Sequence, residues 1–145
     1  MTSVEPYRAV LIILYAAERI LLQQRSDDAQ YMPGEWGYFG GGIETNETPL
    51  AAVIRETQEE ISYQLYQPSI LLEQWFLING KPAYMYVFME ELRGNVASLR
   101  LYEGKNWGWF VRSELNHLGL LERDISIANV AFDAIDALNC NKKRV

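Results

Sequence analysis

Three consecutive glycines, Gly40, Gly41 and Gly42, stand just upstream of a helix start signal, and this pairing constrains the chain more than any other feature. Glycine backbone reaches positive φ and lets a ligand or a neighbouring segment approach where a Cβ would obstruct it. Alone, such a triplet is as compatible with a tight turn as with a phosphate loop. The residues that follow narrow the choice. Thr48 has the side chain of an N-cap, Pro49 suits the first helical position, and Leu50, Ile54, Thr57 and Ile61 recur at i, i+4, i+7 and i+11. The spacing predicts an amphipathic helix with that stripe turned to the core.

At roughly 100° per residue, Glu56 and Glu60 fall about 40° apart on a face away from the stripe. Arg55 and Glu59 form a second i, i+4 pair. The opposite charges of Arg55 and Glu59 are an ordinary helix pair, whereas Glu56 and Glu60 repel by roughly 0.2–0.5 kcal/mol on an isolated helix. A solvated face tolerates that cost. Adjacent carboxylates are also what a hard divalent cation requires, because Mg²⁺ takes oxygen ligands from a few carboxylates plus substrate phosphates.

The rest of the chain reads as strands closed by a helix. Residues 9–17 form an apolar, β-branched run too short to cross a bilayer, and residues 20–24 follow as its hairpin partner after a turn at Glu18 and Arg19. Residues 26–36 carry Asp27, Asp28, Pro33 and Gly34 and read as a loop. Residues 70–78 and 83–92 flank Asn79-Gly80, a strong hairpin signal. Residues 107–111 suggest one more strand, and Ile127, Val130, Ala131, Ala134, Ile135 and Leu138 recur at helical spacing. With 145 residues and 49% hydrophobic content, a single domain spanning 1–145 is expected.

Charge and rare residues exclude several functions. A net charge of -6 argues against the broad basic surface that long nucleic acids require, so a small anionic substrate needs a metal or a few placed cations. His117 is the only histidine, which argues against a Ser-His-Asp arrangement or a multi-histidine zinc site. Cys140 is the only cysteine, which fits a reducing compartment such as the cytoplasm. No targeting segment is evident at the start of the sequence.

The stretch from Gly41 to Tyr63 resembles the Nudix box, a glycine followed at set intervals by Glu, Arg-Glu and Glu-Glu. Gly41, Glu47, Arg55, Glu56, Glu59 and Glu60 match its fixed positions, and Thr57 stands at its hydrophobic-type position. Ser62 replaces the box glycine after the helix, Tyr63 replaces an aliphatic residue, and Phe39 stands where many members have proline. The flanks, Leu21-Leu22-Gln23-Gln24-Arg25 and Glu103-Gly104 with Trp107-Gly108-Trp109-Phe110, also look like the nucleotide-hydrolysing, MutT-like branch of the Nudix hydrolase superfamily.

The resemblance implies an α/β/α sandwich with a mixed β-sheet between helices, and a hydrolase acting on phosphorus-containing anhydrides. Glu56 and Glu60 would be direct metal ligands, Glu59 a ligand directly or through water, and the Gly41 carbonyl a further contact. Glu47 and Arg55 would hold loop and helix together. The metal would be Mg²⁺, with Mn²⁺ as a substitute. Two residues compete as general base, Glu56 and Glu103, and the sequence leaves that choice open. The leading substrate is a nucleoside triphosphate, oxidised or not, reached by elimination. A nucleotide sugar, a dinucleoside polyphosphate, or binding without cleavage by a sensor remain the alternatives. Arg25 is a candidate for a phosphate, and Asp124 or Asn129 for a base edge. Tyr84, with Trp75, Phe76 and Tyr86, is a candidate for base stacking, although each of these rings equally suits packing on the sheet. A monomer or homodimer without membrane attachment is expected.

Overall fold

The computed structural model describes residues 5–30, 32–95, 98–102 and 104–143. Strand β1 (Tyr7–Ala16) organises the rest, because its apolar run can be buried on both faces. One edge of β1 pairs in parallel with β6 (Lys81–Glu91) along Tyr7 to Tyr15. A strand has only two edges, so β2 (Arg19–Gln24) and β4 (Phe39–Gly42) must share the other. Antiparallel β4 takes Ala9 to Ile12 and antiparallel β2 takes Tyr15 and Ala16. The sheet therefore forks beside the first half of β1. On β2, β7 (Asn106–Phe110) takes the edge away from β1, β3 (Trp36–Gly37) takes the β1-side edge at Gln23 and Gln24, and β5 (Ser69–Ile78) lies beyond β6.

Alternation along β1 supplies two cores. Val10, Ile12 and Leu14 pack with Phe39, Ala52, Val53 and Ile61 beneath α1 (Pro49–Ile61). Ile13 and Tyr15 pack with Met85, Ile127, Ala131 and Ile135 beneath α2 (Glu122–Lys143). The sheet thus lies between two helices, as the α/β/α expectation requires. No helix among the described residues is long and apolar enough to cross a membrane.

Local chemistry explains most of the elements. The Thr48 hydroxyl accepts from the Ala51 amide at 3.1 Å with Pro49 just inside the helix, so α1 begins where its cap residues predict. Asn79 and Gly80 have φ of 51° and 78°, the paired positive values of the tight turn that joins β5 to β6. The first hairpin turns at Ala17 and Glu18, one residue earlier than expected, and Arg19 already pairs with Ala16.

Both helices bury much of their expected stripes, Thr57 and Ile61 in α1 and Ile127, Ala131 and Ile135 in α2, but are rotated slightly from the rest. In α1 the buried residues are Ala52, Val53, Thr57, Glu60 and Ile61, whereas Leu50 is 48% exposed. Small Ala52 lets the first half of the helix lie close to the sheet, and the Thr57 hydroxyl is satisfied by donating to the Val53 carbonyl at 2.7 Å. In α2, Ala128 and Phe132 are buried in place of Val130 and Leu138, which are exposed. The shortest strands, β3 and β4, were not evident from periodicity: β4 is mostly glycine and becomes a strand only by pairing with β1.

Candidate active site

Gly41 and Glu56 define the centre of the site. A Cβ built on Gly41 would stand 2.5 Å from the Glu56 carboxyl carbon and from its Oε1. The glycine is therefore needed to bring the carboxylate of α1 against the backbone of β4. This is the physical content of the glycine at that position in the motif, and it places an oxygen-rich surface at the fork of the sheet.

Arg55 binds the glycine segment, the connecting loop and α1 together. Its Nε and Nη2 donate to the two Glu47 oxygens at 2.8 and 2.9 Å, and Nη2 also reaches the Gly42 carbonyl at 3.1 Å. Nη1 donates to Glu56 Oε1 at 2.9 Å and to Glu59 Oε2 at 3.3 Å. The expected Arg55–Glu59 pair is present, but the two-pronged contact with Glu47 has the better geometry. Arg55, then the Glu44 amide, hold the Glu47 carboxyl down at about 2, from an ordinary 4.5. The same partner raises the Arg55 pKa.

The three remaining glutamates of α1 differ in exposure. Glu59 is outermost, with its side chain 59% exposed, while that of Glu56 is 16% exposed. Glu60 was expected on an open face, and it is instead buried at 5% exposure. Its burial follows from the cover over the end of α1, where the Arg100 and Tyr102 amides donate to the carbonyls of Ile61 and Glu60. These bonds also bring the 98–102 segment to the site. Glu103, the other candidate base, lies outside the described residues.

Glu56, Glu59 and Glu60 all line one cavity of about 860 Å³, together with Gly40, Gly41, Tyr7, Arg25 and Arg123. Three carboxylates and glycine backbone form an all-oxygen donor set, which suits a hard cation, and the Gly41 cradle leaves Glu56 the space it occupies. Among the described residues no three His, Cys, Asp or Glu side chains are gathered to hold an ion as they stand. Arg55 Nη1 holds Glu56 and Glu59 to one guanidinium nitrogen, at 2.9 and 3.3 Å.

The expected substrate-contacting residues separate into two groups. Arg25 lines the cavity. Asp124 lies just behind its lining residue Arg123, 4% exposed, with its pKa raised by burial against the lowering effect of Arg123. Tyr84 lies elsewhere: strand alternation turns it away from cavity-lining Met85, and its ring meets Trp75 and Tyr86 at 5.0 and 5.2 Å while its hydroxyl donates to Glu73. Asn129 lies on an exposed part of α2, six residues past Arg123 and so well round the helix; its carbonyl accepts from Arg112. Of the stacking candidates, only Phe76 lines the cavity.

Several lining residues carried no motif. Tyr7 packs over Gly42, and both burial and the Glu56 charge raise its pKa. Gln23 is buried and donates through Nε2 to the Tyr38 carbonyl at 3.1 Å. The Tyr38 hydroxyl donates to the Asp124 carbonyl, which ties β4's neighbour to the start of α2. The alternation of β1 and β2 marks Tyr7 and Gln23 as candidates only once it is known which face holds the cavity.

A mixed sheet between helices, with a glycine loop cradling a helical carboxylate, defines an α/β/α sandwich with an acidic cavity at the fork of its sheet. A family model for the NUDIX domain matches residues 5–129, and the chain belongs to that family. It is similar to a dihydroneopterin triphosphate diphosphatase of Haemophilus influenzae, 36% identical over 67 residues that cover 45% of this chain and 40% of that protein. It is also similar to a nucleoside triphosphatase NudI of an Enterobacter species, 29% identical over 112 residues covering 70% of this chain and 79% of the relative. Among solved structures, a MutT protein from Methanosarcina mazei Go1 superposes with a TM-score of 0.74 at 22% identity, over 94% of this chain and 99% of that one.

Proposed function

We propose that this chain is a divalent-cation-dependent pyrophosphohydrolase that cleaves a nucleoside triphosphate to a nucleoside monophosphate and pyrophosphate. The observation that carries this reading is the convergence of Glu56, Glu59 and Glu60 with the glycine loop on one cavity wall. The names of the Haemophilus and Enterobacter relatives both specify a triphosphate, which favours that class over a nucleotide sugar or a dinucleoside polyphosphate.

Glu56, Glu59 and Glu60 would hold Mg²⁺. A bound divalent cation supplies charge neutralisation of the phosphates and acidifies a coordinated water. The protein's own groups do the rest. Arg55 keeps the carboxylate helix fixed to the glycine loop, so the site forms without a large rearrangement. Glu56, close to the loop and only partly exposed, or Glu103 takes the proton of the attacking water. Arg25 faces the same cavity and meets the anionic end of the substrate.

Pyrophosphate and phosphate release from nucleoside triphosphates, nucleotide sugars and dinucleoside polyphosphates, measured with Mg²⁺, with Mn²⁺ and with chelator, tests the proposal. Metal-dependent release of pyrophosphate from a triphosphate is the expected result. Binding of these compounds with no turnover of any would leave a nucleotide sensor in its place.

A further inference from the structure

Phe76 lies on β5, across β6 and β1 from the glycine loop of β4. Three strand spacings of roughly 4.8 Å separate β4 from β5, about 14 Å in all. An extended nucleotide fills such a span, and a lone phosphate group does not. The cavity therefore has a carboxylate end, described above, and a second end whose chemistry selects what is attached to the phosphates.

That second end combines an apolar wall with a guanidinium held on two sides. Phe76, Ile78 and Met85 provide the wall. The Arg123 guanidinium carbon stands 5.2 Å from the centre of the Phe76 ring, and Arg123 Nε donates to Asp124 Oδ1 at 3.3 Å. Asp124 is itself fixed by burial and by the bond from Tyr38 to its carbonyl. A guanidinium held by cation–π attraction to a ring and by a carboxylate has less rotamer freedom to lose on binding a planar ligand.

We propose that Arg123 is the base-selecting residue of this cavity, and that it takes a purine whose edge presents two adjacent acceptor atoms, as guanine does through O6 and N7. The planar fork of donors matches two in-plane acceptors. Adenine sets an amino donor beside N7, so one N–H of the fork would face another donor in a partly buried site. The apolar wall accepts either ring, and the discrimination resides in the arginine. This rests on reading the cavity as a nucleotide site, and it narrows the substrate from triphosphates in general to those of guanine type.

Binding of GMP and of AMP by titration calorimetry, in parallel with turnover of GTP and ATP, tests the proposal. The expected result is GMP bound tighter than AMP by about tenfold or more, with the same order in kcat/KM. Arg123→Ala is expected to bring the two affinities within about threefold of each other, and Arg123→Lys, which keeps the charge without the fork, to reduce the preference as well. A merely structural role would weaken both nucleotides alike and leave their ratio unchanged. Equal binding of GMP and AMP by the wild type, no binding of either, or a preserved ratio in a folded Arg123→Lys protein would overturn the assignment. A clear GMP preference without turnover of any triphosphate would uphold Arg123's role while removing the hydrolase reading.

Discussion

Glu47 illustrates how one side chain ties stability to the site. Its carboxyl is held at about 2 against 4.5 when unpaired, so the contact with Arg55 stabilises the folded state fully above 4.5. That contribution is lost as the pH falls from 4.5 toward 2, because the folded protein must then take up a proton at a cost the unfolded chain does not meet. Thermal unfolding from pH 7 to pH 2 is expected to show a steeper acid loss in the wild type than in Glu47→Gln, whose side chain does not titrate. Parallel curves would contradict the clamp. Gly41→Ala tests the neighbouring contact: a methyl 2.5 Å from the Glu56 carboxyl must displace it, and turnover is expected to fall by about tenfold or more with the fold retained. At this scale Gly41, Arg55 and the glutamates were legible because the motif fixes residue type and interval together. Gln23 and Arg123 were not, since single polar residues on a strand or helix carry no such interval.

In α1 the ends follow the sequence more faithfully than the face. Thr48 and Pro49 set the start, and Thr48→Ala is expected to cost about 1 kcal/mol in chemical denaturation. Ser62, standing in place of the motif's glycine, closes the helix with φ 57° and ψ 37° while its amide donates to the Gln58 carbonyl. The left-handed conformation strains a residue with a Cβ, so Ser62→Gly is expected to stabilise the protein by about 1 kcal/mol. A loss of stability in that variant would contradict the cap assignment. The helical face was legible in part: Thr57 and Ile61 of the predicted stripe are buried and Ile54 packs against the core, whereas Leu50 is exposed and the rotated buried side adds small Ala52 and charged Glu60. Closeness to the glycine-rich strand and the cover from residues 98–102 decide that rotation, and both are tertiary effects.

Over the whole molecule, the hairpins and the closing helix could be read from turn residues and periodicity, whereas the fork of the sheet could not. Two strands sharing one edge of β1 is a long-range outcome, and it determines which residues face the cavity. It also explains why Tyr84 and Asn129 fall outside: Tyr84→Ala and Asn129→Ala are expected to leave KM within about twofold of the wild type, as for surface changes remote from a site. A severalfold rise in KM would place the substrate on another face. The proposed hydrolysis depends on a cation held by the carboxylates of α1. The most direct test of this dependence is a Mn²⁺ titration followed by electron paramagnetic resonance on the wild type and on Glu60→Gln, with thermal unfolding to verify the fold and turnover measured on the same samples. The folded variant is expected to bind Mn²⁺ at least about tenfold more weakly and to turn over at least about tenfold more slowly. Unchanged Mn²⁺ affinity and turnover in a folded Glu60→Gln protein would contradict the dependence.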